Sequence, residues 1–201
     1  MLENSFFKRD TIEVAKDLLG KKIIRNISGN FLYAKIVETE AYTGFNDKAS
    51  HSYGGKITKR TKTLYLDGGH IYVYLIYGMY DLLNFVTKDT SHPEAVLIRA
   101  VEPLGNFDDF SKLRFNKKYE ELSSYEKRNI TNGPGKLTKA FGIDRSLNGK
   151  LLSKDYLYVE NYDTNITIET DKRIGVDYAA EDAYLPYRFY IKDNKYVTKF
   201  K

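Results

Sequence analysis

Residues 37–55, VETEAYTGFNDKASHSYGG, bring Glu38, Glu40, Tyr42 and His51 close together in the sequence. Glu38 and Glu40 are two positions apart, so in a β-strand both carboxylates leave by the same face. Two like charges on one face repel each other unless one of them has a partner or a chemical task. Arg99, inside the apolar run VLIRAVEP, is a candidate partner, and His51 is a candidate acid–base group. A purely structural ion pair between Arg99 and a glutamate fits the same pattern.

A second set of candidates lies in IYVYLIYGMYDLLN, which carries tyrosines at positions 72, 74, 77 and 80. Tyr72 and Tyr74 share one face of a strand, whereas Tyr77 points to the other face. Gly78 permits a tight turn directly after Tyr77, which would hold this ring at the tip of a hairpin. The pattern is typical of ordinary strand residues, but it also fits an aromatic wedge that enters a base stack.

Two basic segments could contact phosphate groups. GGKITKRTKT contains Lys56, Lys59, Arg60 and Lys62 with no acid between them, which fits either a solvated surface or phosphate binding. In NGPGK, Lys136 follows turn residues at the expected start of a helix, where backbone amides favour anions. This segment lacks the G-x-x-x-x-G-K-[ST] spacing of a nucleotide-binding P-loop.

The periodicities predict one α+β domain over residues 1–201, rich in antiparallel strands. Asp10 is the expected N-cap of a first helix. A hairpin with its turn at Gly29 and Asn30 follows, and its second strand runs into the two glutamates. Further strands are expected in residues 71–87, 94–103 and the tail, and helices in 105–131 and after Pro134.

Composition limits the possible functions. The chain is 42% hydrophobic and 29% charged, as in ordinary globular proteins. With no cysteine, it has no disulfide, thiolate nucleophile or cysteine-based zinc cage. Its three histidines lack metal-ligand spacing, and we expect neither a metal nor another cofactor. Since no apolar run is long enough to span a membrane and the N-terminus is not signal-like, we expect a cytoplasmic protein with no membrane partner. The net charge of +5 permits an anionic partner.

Five motifs, in this order, resemble the alkyladenine (3-methyladenine) DNA glycosylase family: VETEAY, DKASHS, IYVYLIYGMYDLLN, VLIRAVEPL and NGPGKLTKAFGI. The resemblance extends over residues 10–190. It implies an open-barrel antiparallel core with flanking helices and a protruding β-hairpin. It also implies a monofunctional glycosylase of base excision repair, which flips alkylated or deaminated purines out of duplex DNA and hydrolyses their N-glycosidic bonds.

The resemblance implies catalytic roles for two residues. Glu40 matches the general base that takes a proton from the attacking water, and Arg99 matches the arginine that helps to hold this water. A carboxylate in hydrogen-bond reach can activate water in this way, and it also stabilises positive charge that develops on the sugar. Glu38 is then expected to be structural.

Other residues match the family's DNA-binding positions. Tyr42 and Tyr74 match the tyrosines on the two faces of the flipped base, and His51 lines the same pocket. Asn84 matches the asparagine that screens out guanine through its exocyclic amino group. Tyr77 matches the residue that fills the gap left in the duplex. The stacked tyrosine faces would attract a positively charged alkylpurine through cation–π contacts.

The expected partner is damaged double-stranded DNA, bound by a monomer. Two alternatives remain open. The first is a non-catalytic nucleic-acid-binding module of the same fold, in which Glu40 merely pairs with Arg99. The second is a module like the C-terminal part of formyltransferases, which gives no reason for Glu40, Tyr42, His51 and Tyr77 to occur together. The resemblance assigns no individual roles within residues 173–184 and does not fix the range of lesions.

Overall fold

The computed structural model describes residues 1–198. They form an antiparallel sheet with short helices packed around it. The strands are β1 Lys22–Ile27, β2 Asn30–Tyr42, β3 Ile71–Ile76, β4 Tyr80–Thr87, β5 Glu94–Pro103, β6 Leu157–Glu160, β7 Ile168–Asp171 and β8 Arg188–Ile191. The helices are α1 Asn4–Phe7, α2 Thr11–Asp17, α3 Phe107–Phe115, α4 Ser124–Arg128 and α5 Pro134–Ala140.

The long strand β2 is the centre of the sheet. One of its edges pairs with β1 in its first half and with β8 in its second half, while β5 pairs along the other edge. The path of paired strands is β3-β4-β5-β2-β1-β6, and β7 extends the sheet beyond β8. The twist of its strands curls the sheet into a half-barrel.

An irregularity in the β2–β5 ladder lies beside the two glutamates. The register steps from Glu38 opposite Ala100 to Thr39 opposite Ile98, so that Arg99 falls inside the irregular stretch. Irregularities of this kind bend a strand and change the direction of a side chain. The Arg99 side chain is thereby placed where it can reach neighbours on β2.

Strands β3 and β4 form a hairpin that projects from the sheet. Its loop is Tyr77, Gly78 and Met79, and the ladder resumes with Ile76 opposite Tyr80. Tyr77 and Gly78 have φ values of 52° and 69°, in the left-handed region that glycine tolerates best. Tyr77 is 82% exposed at the tip.

The predicted fold class is confirmed: one α+β domain with an antiparallel, half-open barrel and flanking helices. Pro134 occupies the first turn of α5, as expected. The turn predicted at Gly29 and Asn30 begins one residue earlier in the structure, since Asn30 pairs with Ile27 in the ladder. The turn residues are Ser28 and Gly29, both with positive φ, because a two-residue loop of this type matches the twist of the strands. No helix within residues 1–198 combines the length and the hydropathy that a membrane crossing requires.

Helix α2 fastens the N-terminal segment to the central strand. The Asp10 side chain accepts hydrogen bonds from the amides of Ile12 and Glu13 at the start of α2. Further along the helix, the Ala15 carbonyl accepts a bond of 2.8 Å from the hydroxyl of Thr39, which lies between the two glutamates. The cap therefore supports a helix that contacts the strand carrying the candidate site.

We predict that Asp10→Ala lowers the free energy of unfolding by about 1 kcal/mol, because two helix amides lose their acceptor. Urea unfolding followed by circular dichroism measures the change. The matched control is Asp17→Ala, at the other end of α2, which removes only an exposed ion pair with Arg9. We expect this control to lower the free energy of unfolding by less than about 0.5 kcal/mol. Equal losses in the two variants would contradict the capping role.

Candidate active site

The two glutamates of β2 share one arginine. Arg99 of β5 donates from Nε to Oε1 of Glu38 at 3.1 Å, and its Nη1 lies 3.2 Å from Oε1 of Glu40. All three side chains are less than a tenth exposed. The prediction that both carboxylates leave the strand by one face is confirmed, and the cation between them offsets their repulsion.

Glu38 is held in addition by a second arginine. Arg188 of β8 donates from Nε to Oε1 of Glu38 at 2.6 Å. Arg188 itself is 3% exposed and also contacts the Thr198 carbonyl and Asp171. Because Glu38 accepts from two buried guanidinium groups, its contacts are those of a structural ion pair that joins β2, β5 and β8.

Glu40 has a different set of partners. Its Oε1 accepts from the backbone amide of Ile174 at 2.8 Å, beside the contact to Arg99. Its Oε2 accepts from the Tyr42 hydroxyl at 2.8 Å. The side chain is fully buried. A carboxylate offers roughly four acceptor positions. Two of them accept hydrogen bonds from Ile174 and Tyr42, and Arg99 contacts Oε1 as an ion pair, which leaves an acceptor position for another proton donor.

A cavity of about 920 Å³ opens directly in front of these donors. Tyr42, Arg99 and Ile174 all line it, and Glu40 lies behind them. Its volume is within the range of small-molecule sites, and its wall is mostly aromatic and aliphatic. The other lining residues with side chains of interest are His51, Arg60, Tyr72, Tyr74, Tyr77, Tyr80, Asn84, Lys136 and Tyr178.

His51, Tyr72 and Tyr74 form an aromatic cluster in the cavity wall. The rings of Tyr72 and Tyr74 are stacked with centroids 5.3 Å apart, and the His51 ring meets Tyr74 edge-on at 4.5 Å. His51 Nδ1 shares a hydrogen bond of 2.9 Å with the Tyr72 hydroxyl. Burial lowers the pKa of His51 to about 4, with a smaller contribution from Arg60. The histidine is therefore neutral near pH 7.

Burial, together with the Glu40 carboxylate, raises the pKa of Tyr42 well above its ordinary value, so its hydroxyl stays protonated and donates to Glu40. Asn84 lies on the same wall and is 4% exposed. Its Nδ2 donates to the carbonyls of Tyr72 and Leu82, at 3.2 Å and 3.3 Å. These strand carbonyls fix the plane of the amide.

The predicted basic residues are divided between the cavity and the surface. Arg60 and Lys136 line the cavity, whereas Lys56, Lys59 and Lys62 are exposed outside it. Lys136 donates to the side-chain oxygens of Asn129 and Asn132, at 2.6 Å and 2.9 Å. Burial lowers the pKa of Lys136, and Arg114 adds to the effect.

Several residues that surround Glu38 and Glu40 are not predicted from the sequence. The segment RIGVDYAAEDAY, to which the resemblance assigns no individual roles, contains Arg173, Ile174 and Tyr178, and a tail strand contains Arg188. The only hint is that an arginine beside apolar residues needs a partner when buried. Within residues 1–198, no group of three or more histidine or acidic side chains is arranged to hold a metal ion.

Comparisons with known proteins point to one protein family. The family model described as methylpurine-DNA glycosylase matches residues 5–195. A protein of Clostridium perfringens, named as a candidate 3-methyladenine DNA glycosylase, is 55% identical over 203 residues, which is 98% of each chain. Proteins with the same name from Clostridium novyi and Desulfitobacterium hafniense are 54% and 46% identical, again over 98% of each chain.

We predict that the His51 imidazole titrates with a midpoint near 4 rather than 6.5. Since the unfolded chain binds this proton more readily than the folded protein, lowering the pH from 6.5 toward 4 also decreases the free energy of unfolding. The measurement is a ¹H–¹⁵N NMR titration, with His51→Gln to identify the resonance. Arg60→Gln should raise the midpoint only slightly, because burial is the larger cause. A wild-type midpoint near 6.5 would contradict the buried, neutral state.

Proposed function

The chain belongs to the methylpurine-DNA glycosylase family, and from this we propose that it releases alkylated and deaminated purines from duplex DNA with a water activated by Glu40. Family membership makes it a hydrolase of N-glycosidic bonds in DNA. The kinds of base, the flipping of the base and the roles of individual residues are our proposal.

One observation carries the proposal: the buried Glu40 carboxylate is oriented by Tyr42, Arg99 and Ile174, all of which line the cavity. The remaining acceptor position of Glu40 is available for a water at the cavity wall. A carboxylate in hydrogen-bond reach can take a proton from this water while it attacks the sugar C1′. Arg99 is the second group able to hold the water.

The charges around Glu40 also suit the transition state. The sugar becomes positively charged as the base leaves, and a nearby fixed carboxylate stabilises that charge. Glu38 is bound by both Arg99 and Arg188, so that the two carboxylates of β2 and the two arginines have a net charge close to zero. Arg99 can therefore hold water without adding a full uncompensated positive charge beside the sugar.

We assign recognition of the base to the aromatic wall. A positively charged alkylpurine between Tyr42 and Tyr74 gains cation–π attraction of roughly 0.5–2 kcal/mol. The neutral imidazole of His51 does not repel such a base. To Asn84, whose amide plane is fixed by strand carbonyls, we assign discrimination against the amino group of guanine.

Binding to the duplex is assigned to the hairpin tip and the basic residues. Tyr77 would fill the space left by the extruded base, in the manner of other wedge residues. A damaged base is easier to extrude than a well-paired one, which adds selectivity before the chemical step. Phosphate contacts are assigned to Lys56, Lys59, Arg60, Lys62 and Lys136. Because one chain supplies all the cavity residues named above, we propose that the monomer is the active form.

We predict that Glu40→Gln slows single-turnover base release by at least about a hundredfold, because the water loses its general base. The substrates are duplexes with one hypoxanthine or one 1,N6-ethenoadenine, and methylated DNA. The matched control is Glu94→Gln, another buried glutamate, which is bound by Thr11 and Lys88 and does not line the cavity. The control should keep the wild-type rate.

Three results would contradict the proposed activity or the role of Glu40. Release by wild type and Glu40→Gln at equal rates would keep the activity but place the base at another residue. No release by the wild type from any substrate, with DNA binding intact, would favour the non-catalytic binding module. Equal slowing by Glu94→Gln would attribute the loss to a weakened fold.

We predict that Tyr77→Ala weakens binding to lesion-containing DNA much more than binding to undamaged DNA, because an intercalating ring contributes about 1–3 kcal/mol. Fluorescence anisotropy with the two duplexes, at several salt concentrations, measures both affinities. Tyr162→Ala is the control, since Tyr162 is also exposed but lies beside Lys22, outside the cavity. An equal loss of both affinities would argue against a wedge.

A further inference from the structure

A buried ion pair that does not line the cavity stands directly behind it. Arg173 and Asp47 have no solvent-exposed side-chain surface. Both terminal nitrogens of Arg173 donate to the Asp47 carboxylate, with Nη2 at 2.8 Å from Oδ1. This forked geometry fixes the orientation of the two groups as well as their separation.

Arg173 also binds the backbone at two places. Its Nη1 donates to the Ala41 carbonyl at 3.0 Å, and its Nη2 donates to the Asp182 carbonyl at 3.1 Å. Ala41 lies between Glu40 and Tyr42 on β2, while Asp182 lies in the segment that follows Arg173. One guanidinium therefore connects the catalytic end of β2 to a segment distant in sequence.

Asp47 extends the connection to a third segment. Its carboxylate accepts from the backbone amides of Thr43 and Ala49, each at 3.0 Å. These amides belong to the loop that leads from β2 to His51. The ion pair thus holds together the end of β2, the loop before His51 and the segment after Arg173.

Two contacts connect the Arg173–Asp47 ion pair to Tyr42 and Glu40, for which we propose roles in base release. The guanidinium carbon of Arg173 lies over the Tyr42 ring, 4.9 Å from its centroid. The next residue, Ile174, donates its amide to Glu40 at 2.8 Å. Any shift of Arg173 would therefore move a stacking ring and a donor to the carboxylate together.

We propose that Arg173, clamped by Asp47, is a positioning residue, which sets the place of the Tyr42 ring and of the Glu40 carboxylate for base release. This inference depends on the proposed function. The clamp acts by keeping the base and the carboxylate in their reacting geometry, where small displacements have large effects on rate. The competing explanation is that the pair only balances a buried charge in the fold.

Arg173→Lys separates the two explanations, because lysine keeps the charge but cannot reproduce the forked contacts. We expect single-turnover release of hypoxanthine to fall by about tenfold to a hundredfold. Binding to a duplex with a tetrahydrofuran abasic analogue, which cannot be hydrolysed, should change less than about threefold, because Tyr77 and the basic residues are untouched. A rate within about threefold of wild type would overturn the proposal.

The matched control is Arg25→Lys. Arg25 donates to the carbonyls of Asn26, Gly142 and Tyr156 at 3.0–3.1 Å, and it lies outside the cavity. It therefore tests the loss of a carbonyl-binding guanidinium away from the site. We expect a lowered Tm with an unchanged release rate. An equal rate loss in this control would show that general weakening of the fold explains the result, and would overturn the proposal.

Asp47→Glu provides a second route if Arg173→Lys does not fold at the assay temperature. It preserves both charges and lengthens the carboxylate side chain that binds Arg173 by one methylene group. We expect the same selective loss of rate, and wild-type turnover would overturn the proposal. A wild-type protein without any release would instead refute the proposed function itself, which is a different result from equal activity of wild type and variants.

Discussion

The need to compensate buried charge governs the centre of this molecule. Two carboxylates of one strand and two arginines from its neighbours each have less than a tenth of their side-chain surface exposed. An unpaired ion in such a place costs several kcal/mol, and therefore β2, β5 and β8 have to meet with Glu38, Arg99 and Arg188 in register. A slip of one residue would turn each of these side chains to the opposite face of the sheet.

The same cluster explains how one of two similar glutamates can have a separate task. Glu38 contacts both arginines at 3.1 Å and 2.6 Å, whereas Glu40 shares Arg99 and otherwise accepts from a tyrosine and a backbone amide. The irregular ladder at Arg99 lets one guanidinium serve both. The difference between a structural and a reactive carboxylate thus arises from the neighbouring strands, although the two residues lie two positions apart on one strand.

Local chemistry made much of the fold predictable. The cap at Asp10, the glycine turn at Gly78 and Pro134 at a helix start depend on neighbours within a few residues, so the sequence pattern contains them. Motif resemblance predicted pocket positions for His51 and Tyr74, but it assigned nothing to Tyr72, which stacks on Tyr74 in the same wall. The clamp at Arg173 and the second partner of Glu38 could not be predicted, because each joins segments more than 120 residues apart. No periodicity encodes such a contact, and a single sequence gives no other guide to it.

The long separations have a consequence for synthesis. Glu38 and Arg188 are 150 residues apart, and Glu40 and Ile174 are 134 residues apart. At about 5–20 residues per second, a growing chain carries its carboxylate pair for roughly 8–30 seconds before Arg188 is made. The tyrosine hairpin lies early in the sequence, but the surroundings of Glu40 are complete only after Ile174 has been made. Incomplete copies consequently carry the hairpin proposed to contact DNA without an assembled centre for releasing a base.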